Sequence, residues 1–282
     1  MSDASYEPIS LDRLRNAFRP ISLMTSPVSS GLEDVPRTGP VLFVGNHTIY
    51  GMIDVPMLGL EIYEKTGRPV RGLADHLHFS IPGWRNALVS MGAVRGTREN
   101  CARLFEDGEQ VLVFPGGGRE VTRRKGEAYQ LIWKERIGFA RLAIEHGVPI
   151  VPFASVGVDD MFEILADAND LMDSPIGSLL ERLGVTEKSW WFRGGEMIPP
   201  ISWGSGPAGL PRLERQYFHF SAPIDVTRFA GRHEDRDACF ELRKEVQIAI
   251  EHGVGTLLAK RDKDPERYLA QRMLRALAAR LG

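Results

Sequence analysis

Two side chains pose the chemical question: His47 and Asp54, at opposite ends of the run His-Thr-Ile-Tyr-Gly-Met-Ile-Asp. An imidazole beside a carboxylate makes a general base and its orienter. The ring takes a proton, while the carboxylate holds the other ring nitrogen and stabilises the cation that forms. No nucleophilic side chain comes with the pair, so the nucleophile would have to arrive with a substrate. On one straight helix, residues spaced like His47 and Asp54 lie about 10 Å apart, too far to hydrogen bond. Gly51 offers a way out, because a loop through 48–51 and a helix starting near Met52 fold Asp54 back onto the ring. On this stretch alone a strand-end histidine and a helix-opening aspartate without chemistry is the favoured reading.

Two further clusters have residue types suited to binding. Phe114-Pro115-Gly116-Gly117-Gly118-Arg119-Glu120 puts three glycines after an apolar run. Such a turn can aim backbone N–H groups at a ligand, and Arg119 adds a cation at its lip. No Lys-Ser/Thr follows, so it is not a Walker loop, and the glycines lack dinucleotide-fingerprint spacing. A plain tight turn uses three glycines just as well. In Gly92-Ala93-Val94-Arg95-Gly96-Thr97-Arg98, Arg98 falls near a helix start, where an arginine binds phosphate or forms a salt bridge. His76 and His78 have no third ligand in view, so no metal is expected. Phe153-Ala154-Ser155-Val156-Gly157 lacks the first glycine of a nucleophile elbow.

The elements that must position these residues alternate. Val41–Val44 is a four-residue apolar run, the pattern of a strand buried on both faces, and it places Asn46 and His47 at its carboxyl end. Further strands are expected at 69–74, 92–94, 111–114, 149–153 and 216–220, with helices at 97–107 and 136–146 between them. This alternation predicts an α/β fold with a mostly parallel central sheet flanked by helices. Helical additions are expected at both ends. Ser10 caps a helix that Pro20 should stop, 25–39 reads as a linker, and helices follow from 234 to 258 and from Asp264-Pro265 onwards. The expected division is 1–37 (helix and linker), 38–230 (α/β domain) and 231–282 (C-terminal helical segment).

Composition narrows the function classes. The 282 residues are 43% hydrophobic, enough for a sizeable core, and the net charge of -2 does not suit nucleic-acid binding. Two distant cysteines make neither a disulfide framework nor a metal site, which fits a reducing cytosol. No signal-peptide core opens the chain, and no apolar run is long enough to span a bilayer. Two segments nevertheless suit a membrane surface. Residues 174–213 combine Trp190, Trp191 and Trp203 with Ile176, Leu179, Leu180, Met197 and Ile198. The last helix pairs Leu269, Met273, Leu277 and Leu281 with Arg267, Arg272, Arg275 and Arg280. Core packing or a dimer contact would explain both equally.

Taken in order, the blocks resemble the glycerolipid (1-acyl-glycerol-3-phosphate type, PlsC-like) acyltransferase family. That family carries Asn-His-x-x-x-x-Asp, Gly-Ala-Ile-x-x-x-Arg, Phe-Pro-Glu-Gly-Thr-Arg and Ile/Val-Val-Pro. The counterparts are Asn46-His47…Asp54, Gly92-Ala93-Val94…Arg98, Phe114 to Arg119, and Ile150-Val151-Pro152. The resemblance spans residues 38–160 and is greatest to the neutral-lipid branch that includes the acyltransferase part of plant phytyl ester synthases. That branch also reads Lys-Gly-Glu-x-Tyr and Val-Gly-x-Asp-Asp, matched here by Lys125 to Tyr129 and Val156 to Asp160. Two departures stand out. Six residues separate His47 from Asp54 instead of four, which leaves the acidic partner of His47 open, and Gly116 replaces a glutamate.

The resemblance implies transfer of a fatty acyl group from acyl-CoA or an acyl-carrier protein to a lipid hydroxyl, with no other cofactor. His47 would be the base and Asp54 its orienter. Asn46, Arg98, Gly116, Gly117, Gly118, Arg119 and Glu120 would bind substrate. Loss of the glutamate at 116 favours a neutral acceptor over lysophosphatidic acid. The expected location is cytoplasmic, peripheral on a membrane's inner face or on lipid droplets. A thioesterase using the same pair and a non-catalytic lipid-binding protein are the rival readings.

Overall fold

The computed structural model describes residues 9–182, 196–205 and 210–281. It opens with α1 (Leu11–Thr25), where the Ser10 hydroxyl accepts from the Arg13 N–H. Pro20 does not stop this helix but lies inside it. Pro20 and Asn16 are both exposed, so the carbonyl that the proline leaves without a donor lies on the solvent side. Leu14, Phe18 and Ile21 keep the helix packed on the core. The expected linker holds a short strand, β1 (Val28–Ser30), and a 3-10 turn (Leu32–Asp34) beside which Leu32 and Val35 are buried. Three residues, two of them serine, carry no alternation that would announce a strand.

Strands and helices then alternate: β2 (Val41–Gly45), α2 (Asp54–Thr66), β3 (Val70–Ala74), α3 (Trp84–Ser90), β4 (Val94–Arg95), α4 (Arg98–Glu106) and β5 (Gln110–Val113). A single turn, α5 (Gly118–Val121), precedes α6 (Gly138–His146) and β6 (Ile150–Val156). Next come β7 (Glu163–Ala166), α7 (Ala168–Met172), α8 (Pro175–Arg182), β8 (Ile201–Trp203) and β9 (Tyr217–Phe220). The chain closes with α9 (Arg236–Asp262) and α10 (Leu269–Leu281).

Seven strands form one sheet in the order β1-β9-β6-β2-β5-β3-β4. From β6 to β4 all pairs are parallel; β9 runs antiparallel to β6 and takes β1 along with it. The mostly parallel sheet is therefore present, with one reversed pair at an edge. β7 and β8 make a separate antiparallel ribbon. Val41 and Phe43 join the core beneath α1 and α2, while Leu42 and Val44 join the core beneath α4, α6 and α9. That two-faced burial is why β2 is apolar at every position. α9 buries Cys239, Leu242, Val246, Ile250, Val254 and Leu257, one face of a helix at three- and four-residue spacing. Asp264-Pro265 does not open the last helix, because Asp264 is held by Arg215 and Tyr217 at 3.0 and 2.7 Å and the helix begins only at Leu269.

Candidate active site

β2 ends at Gly45 in the middle of the sheet, where open α/β folds handle ligands. Asn46 is fully buried and extends the β2–β6 ladder by one rung. Its Nδ2 donates to the Ser155 carbonyl at 2.9 Å and its Oδ1 accepts from the Ser155 N–H at 2.8 Å. Asn46 therefore lies in the scaffold beneath His47.

The His47 ring lies flat on Phe114, with centroids 3.9 Å apart and planes 14° apart. Asp54 is buried at the start of α2, its Oδ2 3.9 Å from His47 Nδ1. The fold-back uses positive φ at Tyr50 and Gly51, both +61°. A Cβ on Gly51 would sit 2.3 Å from His47 Cε1, so close approach as well as φ demands glycine here. The 3.9 Å contact is about 1 Å longer than a hydrogen bond. Neither Asp54 oxygen nor His47 Nδ1 has a hydrogen-bond partner among the described residues.

The backbone beside the ring is held on both sides. The His47 N–H donates to Glu120 Oε2 at 3.1 Å, and its carbonyl accepts from Arg123 Nη2 at 2.6 Å. The Ile49 N–H donates to Asp159 Oδ1 at 2.8 Å. Glu120 also accepts from the Ile132 N–H through Oε1 at 2.9 Å and has no exposed surface. Burial pushes the Glu120 carboxyl up from its ordinary range, outweighing the N–H donors and Arg123 that favour the anion.

The glycine loop interlocks with this frame. A Cβ on Gly116 would fall 2.1 Å from Glu120 Cδ, so the Glu120 side chain fills the space behind the residue where related sequences carry glutamate. Gly117 has φ +51° and ψ −139°, a conformation open to glycine. Arg136 Nη1 donates to the Pro115 and Gly116 carbonyls, each at 2.7 Å. The N–H groups of Gly116 and Gly118 meet no acceptor among the described residues.

The remaining candidates fall elsewhere. Arg119 is buried and forked onto Glu127, at 2.9 and 2.5 Å, so its charge is already matched inside the protein. Burial pushes the Glu127 carboxyl up, and the fork with Arg119 together with the Arg124 N–H and charge more than reverses it. Arg98 is exposed at the first position of α4. It follows β4, three strands away from β2, which is about 14 Å of sheet. Phe114, Arg123, Arg136 and Asp159 were not foreseen as site residues. Asp159 and Phe114 lie in blocks quoted for the family, but nothing in a linear motif says which backbone they touch. A cavity of about 270 Å³ is walled by Ile49, Phe162 and Ile164, with Arg123, Arg124, Lys125 and Asp159 among its lining residues.

The family model described as Acyltransferase matches residues 27–156. Phytyl ester synthase 2, chloroplastic, of Arabidopsis thaliana is 33% identical over 274 residues, covering 93% of this chain and 39% of that protein. The chain belongs to the glycerolipid acyltransferase family. A second relative, the "DGAT1/2-independent enzyme synthesizing storage lipids" of Bos taurus, is 35% identical over 135 residues, 48% of this acyltransferase-family chain and 40% of the other. The chain thus spans about two fifths of the length of these curated relatives. Among solved structures, the 1-acyl-sn-glycerophosphate acyltransferase PlsC of Thermotoga maritima aligns with a TM-score of 0.48 at 17% identity, covering 88% of this chain and 80% of that one. Among the described residues no helix is long and apolar enough to cross a membrane, and no group of side chains is arranged to hold a metal ion.

Proposed function

We propose that this protein moves a fatty acyl group from acyl-CoA or an acyl-carrier protein to the hydroxyl of a neutral lipid acceptor such as diacylglycerol, monoacylglycerol or a long-chain alcohol. The observation that carries the reading is that the His47–Asp54 pair and the glycine loop, with its unengaged Gly116 and Gly118 N–H groups, follow the neighbouring strands β2 and β5 at the same carboxyl edge of the sheet. Imidazole is the side chain suited to take a hydroxyl proton as attack proceeds. As His47 takes that proton, the hydroxyl oxygen bonds to the thioester carbonyl carbon. The tetrahedral intermediate then expels the thiolate, which takes the proton from the imidazolium. Asp54 closes on Nδ1 by about 1 Å to steady the charged ring. The two glycine N–H groups face the oxyanion.

Three observations favour a neutral acceptor. Gly116 offers no side chain to a glycerol-phosphate head. Arg119, the cation that would attract a phosphate there, is matched by Glu127. The names of the relatives speak of phytyl ester synthesis and storage lipids. Arg124, which lines the cavity, replaces Arg98 and Arg119 as the group for the donor's phosphates; the neighbouring Lys125 is paired with Asp170 at 2.8 Å.

Contact with a lipid surface would come from exposed apolar side chains. α8 and β8 expose Ile176, Leu179, Ile201 and Trp203, and α10 exposes Met273, Leu274 and Leu277. Trp190 and Trp191 lie outside the described residues, as do the side chains of Leu180, Arg280 and Leu281. The protein would work peripherally, on the cytoplasmic face of a membrane or on a lipid droplet. Incubation with labelled long-chain acyl-CoA and diacylglycerol tests the reading. Labelled ester is expected; free acid would make it a thioesterase, and binding without turnover a carrier.

A further inference from the structure

The charged pair Arg123–Asp159 is an expensive thing to bury. Its side chains are 1% and 2% exposed, and Arg123 Nε lies 3.0 Å from Asp159 Oδ2 as an ion pair, not as an aligned hydrogen bond. Replacing such a pair with apolar side chains of similar volume is often neutral or stabilising, so stability alone is a poor reason for it. What distinguishes this pair is where its remaining hydrogen bonds go. All of them end on backbone. Arg123 Nη2 donates to the His47 carbonyl at 2.6 Å, and Nη1 donates to the Glu127 and Gln130 carbonyls at 2.5 and 2.9 Å. Asp159 Oδ1 accepts from Ile49 at 2.8 Å, and Oδ2 accepts from Tyr129 at 2.9 Å.

We infer that Arg123 and Asp159 are positioning residues for His47, acting through the peptide groups on its carboxyl side while Glu120 holds its N–H. This rests on the proposed role of His47 as base. With both peptide planes of His47 fixed, the ring keeps only its χ1 and χ2 rotations, and stacking on Phe114 at 3.9 Å uses those. Asp159 lies in a Val-Gly-x-Asp-Asp block remote in sequence from the histidine, yet it grips the second residue after it. The neighbouring Asp160 belongs to the same anchor, accepting from the Tyr129 hydroxyl. Errors of about 1 Å in placing a reacting group cost on the order of 100-fold in rate, which is the scale this pair would govern.

The test is an apolar replacement, Arg123→Met with Asp159→Leu, in the full chain. Thermal melting reports the fold, and NMR of the His47 ring protons, assigned by their loss in His47→Ala, reports the ring. Stacking on Phe114 shifts those protons upfield in the wild type. The double variant should fold but melt below wild type, because the backbone groups that the pair holds lose their partners; it should lose the upfield shift and about 100-fold in kcat, with the donor KM changed by less than about threefold. An intact ring shift with kcat within a few-fold of wild type would overturn the inference. If the double variant does not fold, Arg123→Lys keeps the charge but not the fork that reaches the His47 carbonyl. Loss of the ring shift and about tenfold in kcat is expected there, and wild-type values for both would overturn it. The ring shift needs no substrate. A displaced ring in a protein without transferase activity would uphold the positioning and sink the base assignment instead.

Discussion

The backbone of His47 and its imidazole lie in opposite kinds of surroundings. Along the backbone, the His47 N–H is matched by Glu120, its carbonyl by Arg123, and the next-but-one N–H by Asp159. Around the ring, the contacts are a flat stack on Phe114, the pressure of Gly51, and an Asp54 carboxylate 3.9 Å away with both oxygens unpartnered among the described residues. Buried polar groups normally find partners, so an unmatched carboxylate beside an unmatched ring nitrogen is the exception that asks for a reason. A general base needs a fixed origin and a ring free to gain a proton and a partner in the transition state. The difference between the two sides fits that division. One side supplies the fixed origin, and the other keeps its bond in reserve.

The comparison breaks most completely if the ring is removed. His47→Ala should lower the rate by on the order of 10²–10⁴-fold while the melting temperature stays close to wild type, since the frame contacts only the backbone. Activity within a few-fold of wild type would remove His47 from the mechanism. Gly51→Ala comes next. A side chain at φ +61° costs about 1–2 kcal/mol, and its Cβ would fall 2.3 Å from His47 Cε1 and force the ring off Phe114. Activity should fall on the order of 100-fold with a small loss in melting temperature. Unchanged activity would show that the ring does not need its present seat.

Glu120→Gln attacks the held side. An amide has one acceptor oxygen, so either His47 or Ile132 must point its N–H at an NH2 group, at a cost of about 1–3 kcal/mol. A lower melting temperature and roughly a tenfold fall in kcat are expected; neither changing would mean that the carboxylate is idle. Asp54→Asn should cost less than removing the imidazole, because the base itself remains and only the partner of its charged form is lost. A loss equal to that of His47→Ala would mean that the ring does nothing as a base without its carboxylate.

How much of this was legible beforehand depends on whether a residue acts through its side-chain type or through what it touches. The sheet was legible because Val41–Val44, Val111–Val113 and Ile150–Ala154 are apolar runs that alternate with helices. β1 was not, since Val28–Ser30 owes its strand conformation to the edge of β9. His47, Asp54 and Gly51 were legible together, because only a glycine loop reconciles their spacing. Arg119 and Glu120 were recognisable as important by type, but their partners decide their role. Glu127 and the His47 N–H lie across turns that no spacing rule reports. Arg123–Asp159 was invisible for the same reason, being a contact between segments 36 residues apart in number.

The smallest expected effect concerns whether the held side takes any part in choosing the acceptor. Arg119 is the group most able to favour a phosphate head, and its fork on Glu127 leaves it committed elsewhere. In a competition between lysophosphatidic acid and diacylglycerol with one acyl-CoA in mixed micelles, the wild type should prefer the neutral acceptor. Glu127→Gln weakens the fork and leaves Arg119 with charge to spare. If Arg119 merely braces the turn, the ratio of the two products should stay within about twofold of wild type even as total activity drops. If the ratio swings several-fold towards lysophosphatidic acid, the buried arginine is a phosphate ligand held in check by Glu127. The neutral preference would then rest on that single salt bridge and not on the bare glycine loop.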